Sequence, residues 1–237
     1  MKGLTVVLVF FLALAACGPS WAATSGVKEK ILPGLAEKGS RQVLLVVNNK
    51  RSNVAAEVHA FEEEAPGKWK EAFGPITANV GEAGFAPPGK KRTGDRRSPT
   101  GIYELRRAFG YSPEETGMDY FTVTKEDVWV NDPKSHEYNT LVKRSETKAA
   151  SFEEMRRDDG LYRYGIVIEY NTGPPVAGRG SAIFFHIWRG PGKGTLGCVA
   201  MSEEDILKIM KWLDPLKMPK VVMGTRSDLM KLVKNIR

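Results

Sequence analysis

The segment AIFFHIWRGPGKGTLGCVAM, from Ala182 to Met201, carries the strongest structural signals in this chain. Its first part, Ala182–Ile187, is an apolar run with branched and aromatic side chains, which predicts a short strand. The glycine-rich loop after this strand leads to Cys198, and a helix is expected just beyond it. A strand, a flexible loop and a cysteine in this order can fold back, so that the cysteine lies near the end of the strand.

Short apolar segments continue on the N-terminal side of this stretch, at fairly regular spacing. Gln42–Asn48 contains a continuous run of Val and Leu, which is typical of a buried strand. Two further segments, Val54–Phe61 and Lys68–Phe73, predict a hairpin around Ala65-Pro66-Gly67. Other short strands are predicted at Ile76–Val80, Ile102–Leu105, Phe121–Val123, Val128–Val130 and Gly165–Tyr170.

Helices are few in this sequence. Ser202-Glu203-Glu204-Asp205 has the pattern of a capping box with Ser202 as the N-cap. Ile206, Met210 and Leu213 follow at helical spacing, and Pro215 ends the segment. A last short helix is expected from Ser227. The chain is therefore predicted to be a mostly β single domain with a few peripheral helices.

The composition is that of a globular protein and excludes a disordered or collagen-like chain. The chain has 237 residues, a formal net charge of +7, 42% hydrophobic residues and 27% charged residues. Two cysteines exclude a disulfide-dense scaffold and a zinc site built from clustered cysteines. We divide the chain into a signal peptide at 1–22, a linker at 23–41 with at most a short helical turn, a main domain at 42–224 and a C-terminal helix at 225–237.

The N-terminus has the features of a secretory signal. Lys2 precedes Leu4–Ala16, an apolar run that as a helix is only about 20 Å long, too short for a hydrocarbon core of about 30 Å. Ser20-Trp21-Ala22 would allow cleavage before residue 23. Leu14-Ala15-Ala16-Cys17 resembles a bacterial lipobox, in which Cys17 carries lipid and anchors the protein in a membrane. Both alternatives predict an exported protein, in the periplasm or cell envelope.

Export leaves Cys198 as the one thiol of the mature chain, which is unusual in an oxidising compartment. An unshifted thiol is only about 3% ionised at neutral pH, so a nucleophilic cysteine needs a nearby base. Of the three histidines, His186 ends the strand before the loop and is the candidate base. Gly197 permits backbone angles that could aim N–H groups at an oxyanion. The alternatives are a buried apolar cysteine and a hydrogen-bonded surface histidine.

The spacing of the histidines does not suggest a metal site, and we predict no metal and no cofactor. The basic stretch Lys90–Arg97 is interpreted as a solvated loop or, alternatively, as a surface that attracts an anionic polymer. Nucleic acid is not an expected partner, because the chain is predicted to be exported and has no binding motif.

The motifs around Cys198 and His186 resemble those of the YkuD-like L,D-transpeptidase catalytic domain. The signature is Phe185-His186-Ile187-Trp188-Arg189-Gly190 followed by Thr195-Leu196-Gly197-Cys198-Val199-Ala200-Met201. The likeness extends through Gly94–Tyr103, Ala108–Tyr111, Asn131–Pro133, Tyr138-Asn139 and Met155–Asp159, and covers roughly residues 42–222.

The resemblance implies a β-sandwich-like domain without cofactors that acts on peptidoglycan stem peptides. Cys198 would attack the carbonyl of the diamino acid in a tetrapeptide stem, His186 would act as base and then as acid, and N–H groups at Gly197 and Cys198 would form the oxyanion hole. Transfer of the acyl group to an amine would give a 3-3 crosslink. Hydrolysis by the same thiol, as an L,D-carboxypeptidase or endopeptidase, is the alternative, and an inactive wall-binding module is another.

Two positions depart from the family pattern. Many members have His before the Gly-Cys pair and Arg two residues after the cysteine, where this chain has Leu196 and Ala200. The missing arginine leaves the choice between transfer and hydrolysis open. We expect Thr195, Trp188 and Arg189 to contact the substrate, with Arg189 as a substitute guanidinium or a solvated loop residue.

Overall fold

The structure is a computed structural model that describes Thr24 and residues 26–232. The predicted signal peptide, including Cys17, and the last five residues of the predicted C-terminal helix lie outside the described residues. Within the described part of the chain, no helix is both long and apolar enough to cross a membrane.

Across the described residues the fold is mostly β, as predicted, with one large sheet, one small sheet and three helices. The strands are β1 Gln42–Asn48, β2 Ala55–Ala65, β3 Lys68–Asn79, β4 Gly101–Gly110, β5 Asp119–Thr122, β6 Asp127–Val130, β7 Leu141–Lys143, β8 Phe152–Glu154, β9 Tyr164–Ile168, β10 Phe184–Ile187, β11 Val199–Met201 and β12 Lys220–Thr225. The helices are α1 Lys28–Glu37, α2 Glu203–Trp212 and α3 Arg226–Leu232.

The large sheet has the strand order β12-β1-β2-β3-β11-β10-β9-β4-β5. Strand β12 pairs in parallel with β1 and antiparallel with β4, so the sheet closes on itself. The small sheet has the order β7-β6-β8. Closure leaves the sheet with an inner face, which encloses the largest apolar cluster, and an outer face that other elements cover.

Strand β1 is buried on both faces, which explains its continuous run of apolar residues. Leu44 and Val46 point into the main core, whereas the residues that alternate with them belong to a second apolar cluster on the outer face. Helix α1 covers this outer face with Ile31 and Leu35. The linker expected at 23–41 is therefore wrong for residues 28–37, because these apolar side chains bury against β1.

Helix α2 begins as the capping pattern predicts. The Ser202 hydroxyl accepts a hydrogen bond from the Asp205 N–H, and Ile206, Met210 and Leu213 are buried in the main core. A 3-10 turn at Pro215–Lys217 follows the helix.

The strand predictions differ from the structure in two ways. Ile76–Val80, predicted as a separate strand, overlaps the end of β3, which continues without a break from the hairpin. Strands β7, β8 and β11 were not predicted, because three residues are too few for an alternating pattern. Strand β12 was also missed, although Lys220–Thr225 supplies the pairing that closes the large sheet.

Candidate active site

Strands β10 and β11 position the predicted nucleophile and base. They run parallel and adjacent, with His186 opposite Ala200 and Phe185 opposite Val199. Because side chains alternate along a strand, Phe185 and Val199 point into the main core while His186 and Cys198 share the outer face. The structure therefore brings together the two residues that the sequence analysis singled out.

Both residues line one cleft of about 800 Å³. Thr195, Gly197, Trp188 and Arg189 line it as well, so every predicted site residue lies in this cleft. The small sheet and the basic loop form other parts of its wall, through Asn131, Pro133, Ser151, Glu153, Arg157, Lys91, Thr93, Gly94 and Arg96. No group of three or more His, Cys, Asp or Glu suited to a metal ion occurs among the described residues.

Cys198 is buried against the aromatic cluster on the outer face of the sheet. Its Sγ accepts a hydrogen bond from the Phe184 N–H at 3.4 Å and donates one to the Ala182 carbonyl oxygen at 3.3 Å. Burial raises the pKa of the Cys198 thiol to about 12, because the thiolate loses its solvation by water. The resting cysteine is therefore a protonated thiol.

His186 is buried to a similar extent, and its ring packs edge-to-face on Tyr162 with the centroids 5.2 Å apart. Its Nδ1 lies 2.7 Å from the Ile187 carbonyl oxygen. A carbonyl oxygen can only accept, so Nδ1 carries the proton and Nε2 carries the lone pair. Burial lowers the pKa of His186 to about 4. The imidazole is thus neutral near pH 7 and able to act as a base.

The loop before Cys198 is held by its own side chains. The Thr195 hydroxyl donates to the Cys198 carbonyl oxygen at 2.7 Å and accepts from the Gly197 N–H at 3.0 Å. Gly197 has φ +148°, and a Cβ there would lie 3.1 Å from the Arg97 carbonyl oxygen. The Gly197 N–H, which was expected to face an oxyanion, is engaged inside the loop. Gly197 therefore shapes the loop before Cys198 through its backbone conformation and through the close packing that the absence of a Cβ permits.

Two polar residues that the sequence analysis did not identify anchor this loop to the sheet. Asn79, at the end of β3, donates to the Gly190 carbonyl oxygen at 2.8 Å and accepts from the Gly192 N–H at 3.0 Å. The buried Ser98 hydroxyl accepts from the Gly81 N–H at 2.9 Å and donates to the Cys198 carbonyl oxygen at 3.1 Å. Neither residue is adjacent to the signature in sequence.

The basic stretch Lys90–Arg97 is not a simple solvated loop. Lys91 is buried and forms an ion pair with Asp95 at 2.6 Å, and Arg97 donates to two backbone carbonyl oxygens. Arg96 pairs with Glu82 at 2.7 Å on the cleft wall. Most of the basic side chains of this loop therefore form contacts that stabilise its structure. Lys91 and Arg96 also border the cleft.

Arg157 and Tyr162 are further residues that the sequence analysis did not assign to the site. Arg157 precedes β9, and its guanidinium lies over the Tyr162 ring at 5.2 Å from the centroid. Arg189, expected as a substitute guanidinium, is instead 64% exposed and lies 3.9 Å from Asp159. The Arg-Arg-Asp-Asp run at Arg156–Asp159 was the only sequence signal for this charged group.

A family model described as the L,D-transpeptidase catalytic domain, YkuD, matches residues 42–226. The chain belongs to the YkuD family. No curated protein and no solved structure matches the chain significantly. Membership supports an acyltransferase of the L,D-transpeptidase type that modifies peptidoglycan.

The two departures from the YkuD signature have defined positions in the structure. Ala200 lies opposite His186 on the neighbouring strand, so the arginine that many YkuD members carry would start from a backbone position beside the imidazole. Leu196 is 74% exposed at the cleft and replaces a histidine. This chain thus has the apolar side chain of Leu196 in place of the signature histidine and the methyl group of Ala200 in place of the signature arginine.

Proposed function

We propose that the protein is an exported L,D-transpeptidase that cleaves tetrapeptide stems of peptidoglycan through a thioester on Cys198 and forms 3-3 crosslinks. The observation that carries the proposal is the shared outer face of β10 and β11, which holds the thiol and a neutral imidazole in one cleft.

In the first half of the reaction, Nε2 of His186 takes the thiol proton while Sγ of Cys198 attacks the carbonyl carbon of the diamino acid. Burial disfavours both the thiolate and the imidazolium, so we expect proton transfer to accompany the attack. The tetrahedral intermediate then collapses. The C–N bond breaks, the imidazolium returns its proton to the departing amine of the D-amino acid, and a thioester remains.

In the second half, an amine of another stem attacks the thioester carbonyl and gives a proton to His186. The C–S bond breaks, the crosslinked product leaves, and the sulfur regains its proton from the imidazolium. Water in place of the amine would give a tripeptide. We favour the amine because Leu196 and Ala200 make the neighbourhood of the thiol less polar than the family signature does.

The proposal is tested with the purified mature protein, a tetrapeptide donor and a free-amine acceptor stem, analysed by mass spectrometry. Cys198→Ala should abolish product, and His186→Ala should lower the rate by about 10²–10⁴-fold, the usual effect of losing a general base. His59→Gln is the matched control, because His59 is also buried in a strand of the large sheet but does not line the cleft. Near-normal turnover by Cys198→Ala would overturn the mechanism.

The product ratio separates transfer from hydrolysis. Crosslinked dimer is the expected product, and tripeptide alone over a wide range of acceptor concentrations would identify a hydrolase with the same nucleophile. Wall binding without acylation of Cys198 would identify a binding module. A carbapenem, as a strained acyl donor, should leave a covalent adduct on Cys198 that is absent from Cys198→Ala.

The proposed location in the periplasm or cell envelope depends on the N-terminal signal, with Lys2 before the apolar run Leu4–Ala16. Intact mass of the protein from cells tests it. A diacylglycerol adduct on Cys17 would support a lipid anchor, whereas a mature chain that starts at Ala23 would support a soluble form. An unprocessed N-terminus would contradict export.

A further inference from the structure

Arg157 is held in a fixed orientation at the wall of the cleft. Its Nε and Nη2 donate to the two carboxylate oxygens of Asp159 at 3.0 and 2.6 Å, and its Nη1 donates to Oε1 of Glu153 at 3.0 Å. The guanidinium lies over the Tyr162 ring at 5.2 Å from the centroid. A planar guanidinium with two carboxylate partners and a stacked ring has little freedom to move.

The same network reaches the imidazole through Tyr162. The Tyr162 hydroxyl donates to Oε1 of Glu153 at 2.9 Å, the same oxygen that accepts from Arg157. At the other end of this network, the Tyr162 ring packs against the imidazole of His186. The two ring centroids are 5.2 Å apart and the rings form an angle of 67°. Arg157 is therefore connected to His186 through the Tyr162 ring. Glu153 holds this ring at its hydroxyl, and Arg157 contacts its face.

Arg157 also brings positive charge to the cleft in which the signature position holds an uncharged alanine. Ala200, opposite His186, carries no charge, and Arg157 enters the same cleft from a different part of the chain. Against the larger effect of burial, the positive charges of Lys91 and Arg157 lower the pKa of the Cys198 thiol, and that of Arg157 also lowers the pKa of His186. The first effect favours negative charge on the sulfur, and the second keeps the resting imidazole neutral, as a base must be before it accepts the thiol proton.

We propose that Arg157 is a positioning residue: it holds Tyr162 against His186 and supplies positive charge that favours negative charge on Cys198 in the same cleft. This inference deepens the proposed function, since it names a residue on which that chemistry depends. Its role is distinct from that of Arg189, which is largely exposed and lies farther from Asp159 than Arg157 does.

The test measures the alkylation rate of Cys198 by iodoacetamide between pH 7 and 10, because this rate follows the thiolate fraction and needs no peptide substrate. Besides Arg157, the titratable and charged groups that face the thiol and the imidazole are Tyr162, Glu153, Lys91, Asp159 and Arg189. Losing a nearby opposite charge shifts a pKa by about one unit. Arg157→Gln should therefore slow alkylation about three- to tenfold at each pH.

Two comparisons separate the charge of Arg157 from a merely structural role. Arg157→Lys keeps the charge and should restore most of the rate that Arg157→Gln loses. Arg144→Gln is the matched control, because Arg144 also pairs with a glutamate and lies over an aromatic ring, at 4.8 Å from Phe152, but does not line the cleft. It should leave the alkylation rate unchanged.

A second variant keeps the test decisive if Arg157→Gln does not fold. Glu153→Gln retains an oxygen that can accept from both Arg157 and Tyr162 but removes a negative charge that raises the thiol pKa. It should alkylate faster than the wild type. Equal rates for Arg157→Gln and the wild type, no rescue by lysine, or slower alkylation of Glu153→Gln would each overturn the proposal.

Turnover of a tetrapeptide provides a second readout. Arg157→Gln should lower kcat with little change in KM, because the residue acts on the reacting groups rather than on the binding of the stem. A change in KM alone would overturn the positioning role. If the wild type itself gives no turnover, the proposed function fails while the alkylation series still decides the role of Arg157.

Discussion

Replacing His186 with asparagine should remove a strong dependence of stability on pH. The unfolded chain binds a proton on this histidine near its ordinary pKa of 6.5, whereas burial lowers the pKa in the folded protein to about 4. As the pH falls below 6.5, this histidine is therefore protonated in the unfolded chain before it is protonated in the folded protein, and the unfolded state is stabilised. The contribution of His186 to the free energy of unfolding is complete above pH 6.5 and is lost as the pH falls to about 4. An interval of about 2.5 units, at about 1.4 kcal/mol per unit, amounts to about 3.5 kcal/mol in full, of which about 3 kcal/mol is lost between pH 7.5 and 3.5.

The assay is urea denaturation of the wild type and of His186→Asn at several pH values from 7.5 to 3.5. Asparagine does not titrate, and its amide can donate to the Ile187 carbonyl oxygen as Nδ1 of the histidine does. Other groups whose folded pKa is lowered, such as Asp127 and Asp228, are present in both proteins and cancel in the comparison.

The free energy of unfolding of the wild type should fall by about 3 kcal/mol more than that of the variant over this range. Unfolding free energies that decline in parallel would show that His186 is not buried as a neutral imidazole. The same result would remove the basis for its assignment as a base that is ready to accept a proton at neutral pH.

The remaining predictions concern the loop, the small sheet and helix α1. Thr195→Val should cost about 1–3 kcal/mol and slow alkylation of Cys198, because two hydrogen bonds in the loop are lost, while Thr195→Ser should retain both. Asn139→Leu should destabilise the fold by at least about 1–3 kcal/mol in a denaturant titration, since it leaves a buried indole N–H and a backbone N–H without their acceptor and two backbone carbonyl oxygens without the amide donor. Ile31→Ala should cost about 2–5 kcal/mol, and Lys30→Ala, exposed on the same helix, should cost little. A neutral effect of Ile31→Ala would mean that α1 is the linker that the sequence suggested.

Long or strongly patterned segments were predictable from the sequence. The continuous apolar run of β1, the hairpin of β2 and β3 and the capped start of α2 each carry a local signal, in side-chain spacing or in a cap residue. Cys198 and His186 could be selected for a similar reason, because the chemistry of a thiol nucleophile needs a base and the chain has few candidates.

Helix α1 shows where local signals are insufficient. Its residues include a proline and a glycine, at Pro33 and Gly34, which favour loops in isolation. The helix is stabilised by the burial of Ile31 and Leu35 against the outer face of β1, and that surface lies in another segment of the chain.

Local sequence signals were enough to identify the family signature, the mostly β class, the thiol and its candidate base. The folded chain was needed to establish the closure of the sheet by β12, the neutral charge states of Cys198 and His186, and the packing of Arg157 and Tyr162 beside His186. One cause accounts for all three. Strand pairing, desolvation and charge–charge contact depend on distance in space, and here they join residues that are far apart along the chain.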